Sequence, residues 1–177
     1  NCLADLEAVA ADNCEAIVTW NTPLVTDNCG ETVDLIPSIE SGSSFPIGLT
    51  EVVYTATDAS GNSSTCSFNV RVTDGVAPTL VNCVADIEIA ANNDCQAVVS
   101  WENPTFEDCS SFTLTSDFAS GSTFNLGVTE VTYTAEDDFG NTSSCSFNVT
   151  VIDESSPEIT SCPEDILLTL PAFSCAA

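Results

Sequence analysis

The chain has 177 residues, of which 27 are acidic and one, Arg71, is basic, and it has no histidine; the formal charge is −26. That balance excludes nucleic acid as a ligand, because gripping a phosphate backbone needs a positive footprint, and the missing histidine excludes Ser-His-Asp and Cys-His nucleophile systems. Ten cysteines without a CxxC pair or a histidine point away from zinc and toward disulfides made outside the cell or at its surface.

The elements follow a period-2 pattern with no 3.6-residue stripe. Ala16, Val18 and Trp20 make one inward strand face, broken by Asn21-Thr22-Pro23. Val52, Tyr54 and Ala56 make a second, and Asp58-Ala59-Ser60-Gly61-Asn62 is a turn with glycine at a position suited to positive φ. Cys66, Phe68, Val70 and Val72 then face inward, with Ser67, Asn69 and Arg71 outward. After a short linker, Asp74-Gly75-Val76-Ala77-Pro78, the sequence starts again. Ala97, Val99 and Trp101 precede Asn103-Pro104; Val131, Tyr133 and Ala135 lead to the turn Asp137–Asn141; Cys145, Phe147, Val149 and Val151 form the last strand. The linker Asp153-Glu154-Ser155-Ser156-Pro157 follows, and a third copy opens at Cys162 and runs to Cys175.

Corresponding positions lie 79 to 81 residues apart: Cys2 and Cys83, Cys14 and Cys95, Cys29 and Cys109, Gly61 and Gly140. A fixed period of this length marks a modular array. The reading divides the chain into modules at 1–74 and 75–153 and the start of a third at 154–177. The expected fold class is all-β: tandem antiparallel sandwiches whose linkers are too short to flex freely, giving an extended rod. The chain reads as an excerpt of a longer secreted protein. No stretch approaches the roughly 18 apolar residues of a membrane-spanning helix.

Cys162-Pro163-Glu164-Asp165-Ile166, the run Ser41-Gly42-Ser43-Ser44-Phe45-Pro46-Ile47-Gly48-Leu49-Thr50, Tyr54–Asn62 and Cys66-Ser67-Phe68 resemble the hyalin repeat (HYR). Cys2-Leu3 and Cys83-Val84 lack that repeat's usual proline, and Asn125 stands where the first copy has Pro46. The resemblance implies an immunoglobulin-like sandwich used in extracellular adhesive proteins. Copies with the additional Cys14 and Asp27-Asn28-Cys29 resemble tandem arrays on large surface proteins of Bacteroidota-like bacteria. Four cysteines per module allow three connectivities, and the sequence alone does not choose among them. Hyalin repeats with two cysteines keep the Cys2 and Cys66 positions, so the resemblance implies Cys2–Cys66 and Cys83–Cys145. That leaves Cys14–Cys29 and Cys95–Cys109 as the expected second pairs.

Oxygen-rich side chains gather in end loops and linkers; no cofactor follows with certainty, and calcium, which takes six to eight oxygens, is the candidate. The candidate ligands are Asp27, Asp58, Asp74, Asp108, Asp137 and Asp153, although Asp and Asn are also simply good turn formers. Trp20 and Trp101 are expected in the core and Phe139, at a turn tip, on the surface. Asn62, Asn141 and Asn148 lie in N-x-S/T sequons and are candidate glycosylation sites. No catalytic constellation is present, so the chain is read as a non-enzyme. The functional expectation is a structural stalk of an extracellular, cell-surface adhesin or filament, with neighbouring repeats as its first partners. Alternatives are a self-assembling fibre subunit, with the chain as its own homopolymer partner, and a module binding surface glycans or proteins through its end loops.

Overall fold

The computed structural model describes residues 2–28 and 32–161, and every regular element among them is a β-strand. Cys29, Cys162 and Cys175 lie outside the described residues. The first repeat contains β1 (Leu6–Val9), β2 (Glu15–Ile17), β3 (Asp34–Pro37), β4 (Ser44–Pro46), β5 (Gly48–Thr57) and β6 (Ser63–Thr73). The second contains β7 (Thr79–Asn82), β8 (Ile87–Ala90), β9 (Gln96–Val99), β10 (Thr105–Glu107), β11 (Phe112–Ser116), β12 (Ser122–Asn125), β13 (Gly127–Asp137) and β14 (Thr142–Ile152).

Each repeat is built on one long hairpin. β5 and β6 pair antiparallel from Gly48↔Val72 to Thr57↔Ser63, and β13 with β14 from Gly127↔Val151 to Glu136↔Thr142. The turns close as their composition demands. Gly61 and Gly140 take φ of 88° and 87°, and the Asp58 carboxylate accepts the Asn62 backbone N–H and side-chain amide, both at 2.8 Å. Around the hairpins stand four-stranded sheets in the order β1-β6-β5-β3 and β11-β13-β14-β8.

The edge strands β1 and β8 run parallel to β6 and β14, so the sheets are mixed rather than purely antiparallel. Asp5 and Asp86 fix these edges, each accepting a backbone N–H (of Asn69 and Asn148) at 2.7 Å.

The opposing layer is small: β2 with β4 in the first repeat, β9 with β12 in the second, and β10 with β7 beside them. Period-2 alternation places Val52, Tyr54, Phe68, Val70 and Val72 against Ala16, Val18 and Phe45 in one core. Val131, Tyr133, Phe147, Val149 and Val151 meet Ala97, Val99 and Phe124 in the other. Burying each of the valine and phenylalanine side chains contributes about 1.5–3 kcal/mol. Trp20 and Trp101 follow β2 and β9 and pack half-buried on these cores. Their indole N–H groups donate to Tyr54 and Tyr133 hydroxyls at 2.8 Å, which satisfies the polar edge that a buried tryptophan must settle.

Two disulfides join each edge strand to its hairpin, Cys2–Cys66 and Cys83–Cys145. The third corrects the sequence reading. Cys14 is bonded to Cys109, not to Cys29, so Cys109 is not the partner of Cys95, whose exposed thiol is unbonded. The reason is geometric. Because β1 parallels β6, the turn after β1 lies beside the end of β6, with Ala10 N–H donating to Thr73 O at 2.9 Å. Cys14 is therefore at the trailing end of its repeat. Cys95 is likewise trailing, near the Ala91 N–H bond to Ile152 O at 2.8 Å. Cys109 follows β10, whose Glu107 pairs with Thr79 at the leading end. An 11-residue strand spans roughly 36 Å, whereas disulfide Cα atoms must approach within about 7 Å. A bond between Cys95 and Cys109 within the second repeat is out of reach; a bond from Cys14 to Cys109 of the next repeat is not.

Candidate functional site at the junction between repeats

Cys14 sits in a tight turn, with its N–H donating to Ala11 O at 2.9 Å and Ala11 N–H to Glu15 O at 3.0 Å. Its φ is +67°, a left-handed value that β-carbon-bearing residues avoid. Cys95 repeats this turn, with φ +59° and a 3.0 Å bond from its N–H to Asn92 O. Glycine would relieve both positions.

The Cys14–Cys109 bond crosses from the first repeat to the second, with Cα atoms 5.2 Å apart. Beside it lies an acidic cleft of about 430 Å³ lined by Asp12, Val76, Thr79, Glu107 and Asp108. On another side of the junction, Phe139 at the tip of the β13–β14 turn lines a cleft with Gly48, Leu49, Arg71 and Val72 of the first repeat. Phe139 is 41% exposed. The expected surface aromatic is thus exposed and also stands at the junction. Gly75, in the linker, leaves no room: a β-carbon there would lie 2.4 Å from Val9 Cγ1.

Three of the six candidate carboxylates converge at this junction. Asp74, Asp108 and Asp137 each bring one carboxylate oxygen to within 4.8 Å of the other two. Asp74 comes from the linker, Asp108 from the loop after β10, and Asp137 from the end of β13. Asp74 and Asp137 are 5% and 6% exposed. Asp137 is held by its turn: Oδ1 accepts the N–H of Phe139 at 2.9 Å and of Asn141 at 2.7 Å, and Oδ2 accepts the Asn141 amide at 2.8 Å. Burial opposes its charge, but the donors from Asn141, Phe139 and Gly140 outweigh it and hold the carboxyl below its ordinary value. The same Asn141 amide donates to Asp74 O at 3.2 Å, tying the turn to the linker. Asp74 Oδ1 accepts the Val76 N–H at 3.0 Å, while Asp74 Oδ2 is buried without a hydrogen-bond partner.

The other candidates lie apart. Asp27 and Asp58 line a cleft of the first repeat with Asn62, where Asn28 occupies the position of Asp108. Asp153 is exposed in the second linker and accepts the Ser155 N–H at 2.9 Å. Of the sequon asparagines, Asn62 is exposed, whereas Asn141 and Asn148 are half-buried; the Asn141 amide is committed to the two junction carbonyl and carboxylate oxygens described above. The linker position of Asp74 and the turn position of Asp137 were visible in the sequence as acidic end loops. The pairing of Cys14 across the junction was not, because its signal is the parallel edge strand that sends the turn to the trailing end.

A family model described as "HYR domain" matches residues 1–72 and 73–151. The mouse (Mus musculus) protein "Sushi, von Willebrand factor type A, EGF and pentraxin domain-containing protein 1" is 35% identical over 156 residues, 85% of this chain and 4% of that protein. "Hyalin" of the sea urchin Strongylocentrotus purpuratus is 36% identical over 159 residues, 85% of this chain and 13% of that protein. The chain thus spans a small part of the relatives it matches. These relatives are animal proteins, and the bacterial setting is carried by the sequence resemblance alone. Among solved structures, Drosophila N-cadherin EC1-4 aligns with a TM-score of 0.41 at 14% identity, covering 84% of this chain and 48% of that one. Human protocadherin-24 EC1-2 aligns at 0.42 and 12%, covering 84% and 95%. Likeness at that level carries no argument about function.

Proposed function

The chain belongs to the HYR domain family, and we propose that it is a stretch of spacer in an extracellular, adhesion-related protein, its stiffness set at the joints between repeats. The observation that carries this reading is the Cys14–Cys109 disulfide between consecutive repeats. A covalent bond beside a five-residue linker removes the freedom that two beads on a string would have. Phe139, the Asn141 bond to Asp74 O and the close approach of Gly75 to Val9 add contacts to the same joint. Three disulfides among the described residues fit an oxidising, extracellular location.

The joint is also a repeating device. Cys95 occupies the same left-handed turn as Cys14, one repeat later. In this reading it is placed to bond a cysteine at the Cys109 position of another repeat. Such staggered bonds make an extended rod whose reach grows with repeat number. Attachment to a cell or matrix surface then resides outside the described repeats, and catalysis has no part in it.

Small-angle scattering of the chain and of its Cys14→Ser/Cys109→Ser variant tests the reading. Two repeats in line, each about 36 Å by strand length, predict a narrow distribution reaching at least about 70 Å. The variant should give a broader one with shorter extents. Identical profiles for the two would overturn the proposal that the bond sets the geometry.

A further inference from the structure

We propose that Asp74, Asp108 and Asp137 form a calcium-binding site between the linker and the second repeat. Asp74 Oδ2 is a buried oxygen with no hydrogen-bond partner. Buried polar atoms are almost always satisfied, and an unsatisfied oxygen on a buried carboxylate grouped with two further carboxylates is a costly exception. The chain has a single basic residue, Arg71, against 27 acidic ones, so its own side chains supply almost no neutralising charge. Protonation is the other escape, but the Asp137 carboxylate already accepts three N–H donors in its turn, which suits its charged form. A bound cation resolves the orphaned oxygen and the repulsion together.

The chemistry of the donors selects the ion. The three ligands are all carboxylate oxygens, which suits a hard cation and not zinc or copper. Two oxygens on opposite sides of one calcium ion stand about 5 Å apart, from bond lengths of 2.3–2.6 Å; the three here lie within 4.8 Å of one another. Magnesium, at 2.0–2.1 Å with strict octahedral demands, fits a set drawn from linker, loop and turn less well. The acidic cleft lined by Glu107 and Asp108 opens beside the cluster and admits the waters that complete the shell. Because the ligands come from the linker and from two loops of the second repeat, the ion would fix the linker to the repeat that follows. This holds whether or not the array is a spacer.

The test is calorimetric titration of the full chain with calcium chloride in 150 mM sodium chloride, which suppresses diffuse binding to the charge of −26. One saturable site is expected, with Kd of about 10⁻⁴–10⁻³ M, the range of extracellular modules. Asp108→Asn and Asp74→Asn should each weaken it at least tenfold, while Glu88→Gln, an exposed strand position, should not. Magnesium should bind more weakly. Amide shifts of the unmutated chain give a readout that needs no variant: calcium should move signals around residues 74, 108 and 137 together. No saturable binding, unchanged affinity in both Asp variants, equal affinity for magnesium, or shifts centred elsewhere would each overturn the site. None of these outcomes bears on the scattering experiment, so the two proposals fail separately.

Discussion

Replacing Cys14 and Cys109 together by serine removes the inter-repeat bond without leaving a stray thiol, and its cost follows from chain connectivity. The two cysteines are 95 residues apart in sequence, but the Cys2–Cys66 bond shortens the loop that matters. The shortest covalent path runs from Cys14 back to Cys2, across to Cys66, and on to Cys109, which is about 55 residues. In the chain-entropy model a loop of that length is worth about 4 kcal/mol. For a protein of this size that corresponds to a fall in melting temperature of about 8–16 °C. The assay is denaturant unfolding and calorimetry under non-reducing conditions, with Cys95→Ser as the control. Cys95 is exposed and unbonded, so its replacement should change stability by less than about 0.5 kcal/mol. A loss below about 1 kcal/mol in the double variant, or an equal loss in the control, would refute the assignment of the bond and the reasoning from its loop.

Gly75→Ala should cost about 1 kcal/mol by forcing Val9 off its rotamer, and Val9→Ala in the same chain should recover most of it; a double-mutant cycle in urea checks the coupling. Trp101→Phe leaves the Tyr133 hydroxyl without its 2.8 Å donor and should destabilise by about 1–3 kcal/mol, seen as an earlier transition in near-ultraviolet circular dichroism. Asp58 is held below its ordinary value of 3.8, chiefly by the Asn62 amide. A depressed folded-state pKa means that its contribution is fully present above the unfolded value and disappears as pH falls through the folded one. The Asp58 contribution should therefore be constant from pH 7 to about 5 and decline below about 4, and Asp58→Asn should make the acid limb of the stability profile shallower.

The core was legible in the sequence because strand alternation depends on neighbouring residues alone. Val52, Tyr54, Phe68, Val70 and Val72, and their second-repeat equivalents, are buried as their spacing implies. Gly61 and Gly140 take the positive φ expected of their turns. The junction was only half legible. Its residues were visible as acidic end loops, but which end of a repeat each loop occupies depends on strand direction. A parallel edge strand sends Cys14 to the trailing end and leaves Cys109 at the leading one, and pairing within a repeat overlooks that separation. Phe139 is on the surface as its turn tip implies, but its place in a cleft beside Gly48, Leu49, Arg71 and Val72 of the first repeat depends on how the repeats are joined and was not legible.

The central claim is that consecutive repeats are covalently locked, and peptide mapping of the alkylated, non-reduced chain tests it directly. The account predicts a disulfide-linked pair of peptides carrying Cys14 and Cys109, separate from those carrying Cys2 with Cys66 and Cys83 with Cys145. Recovery of Cys14 with Cys29 and Cys95 with Cys109 would contradict it.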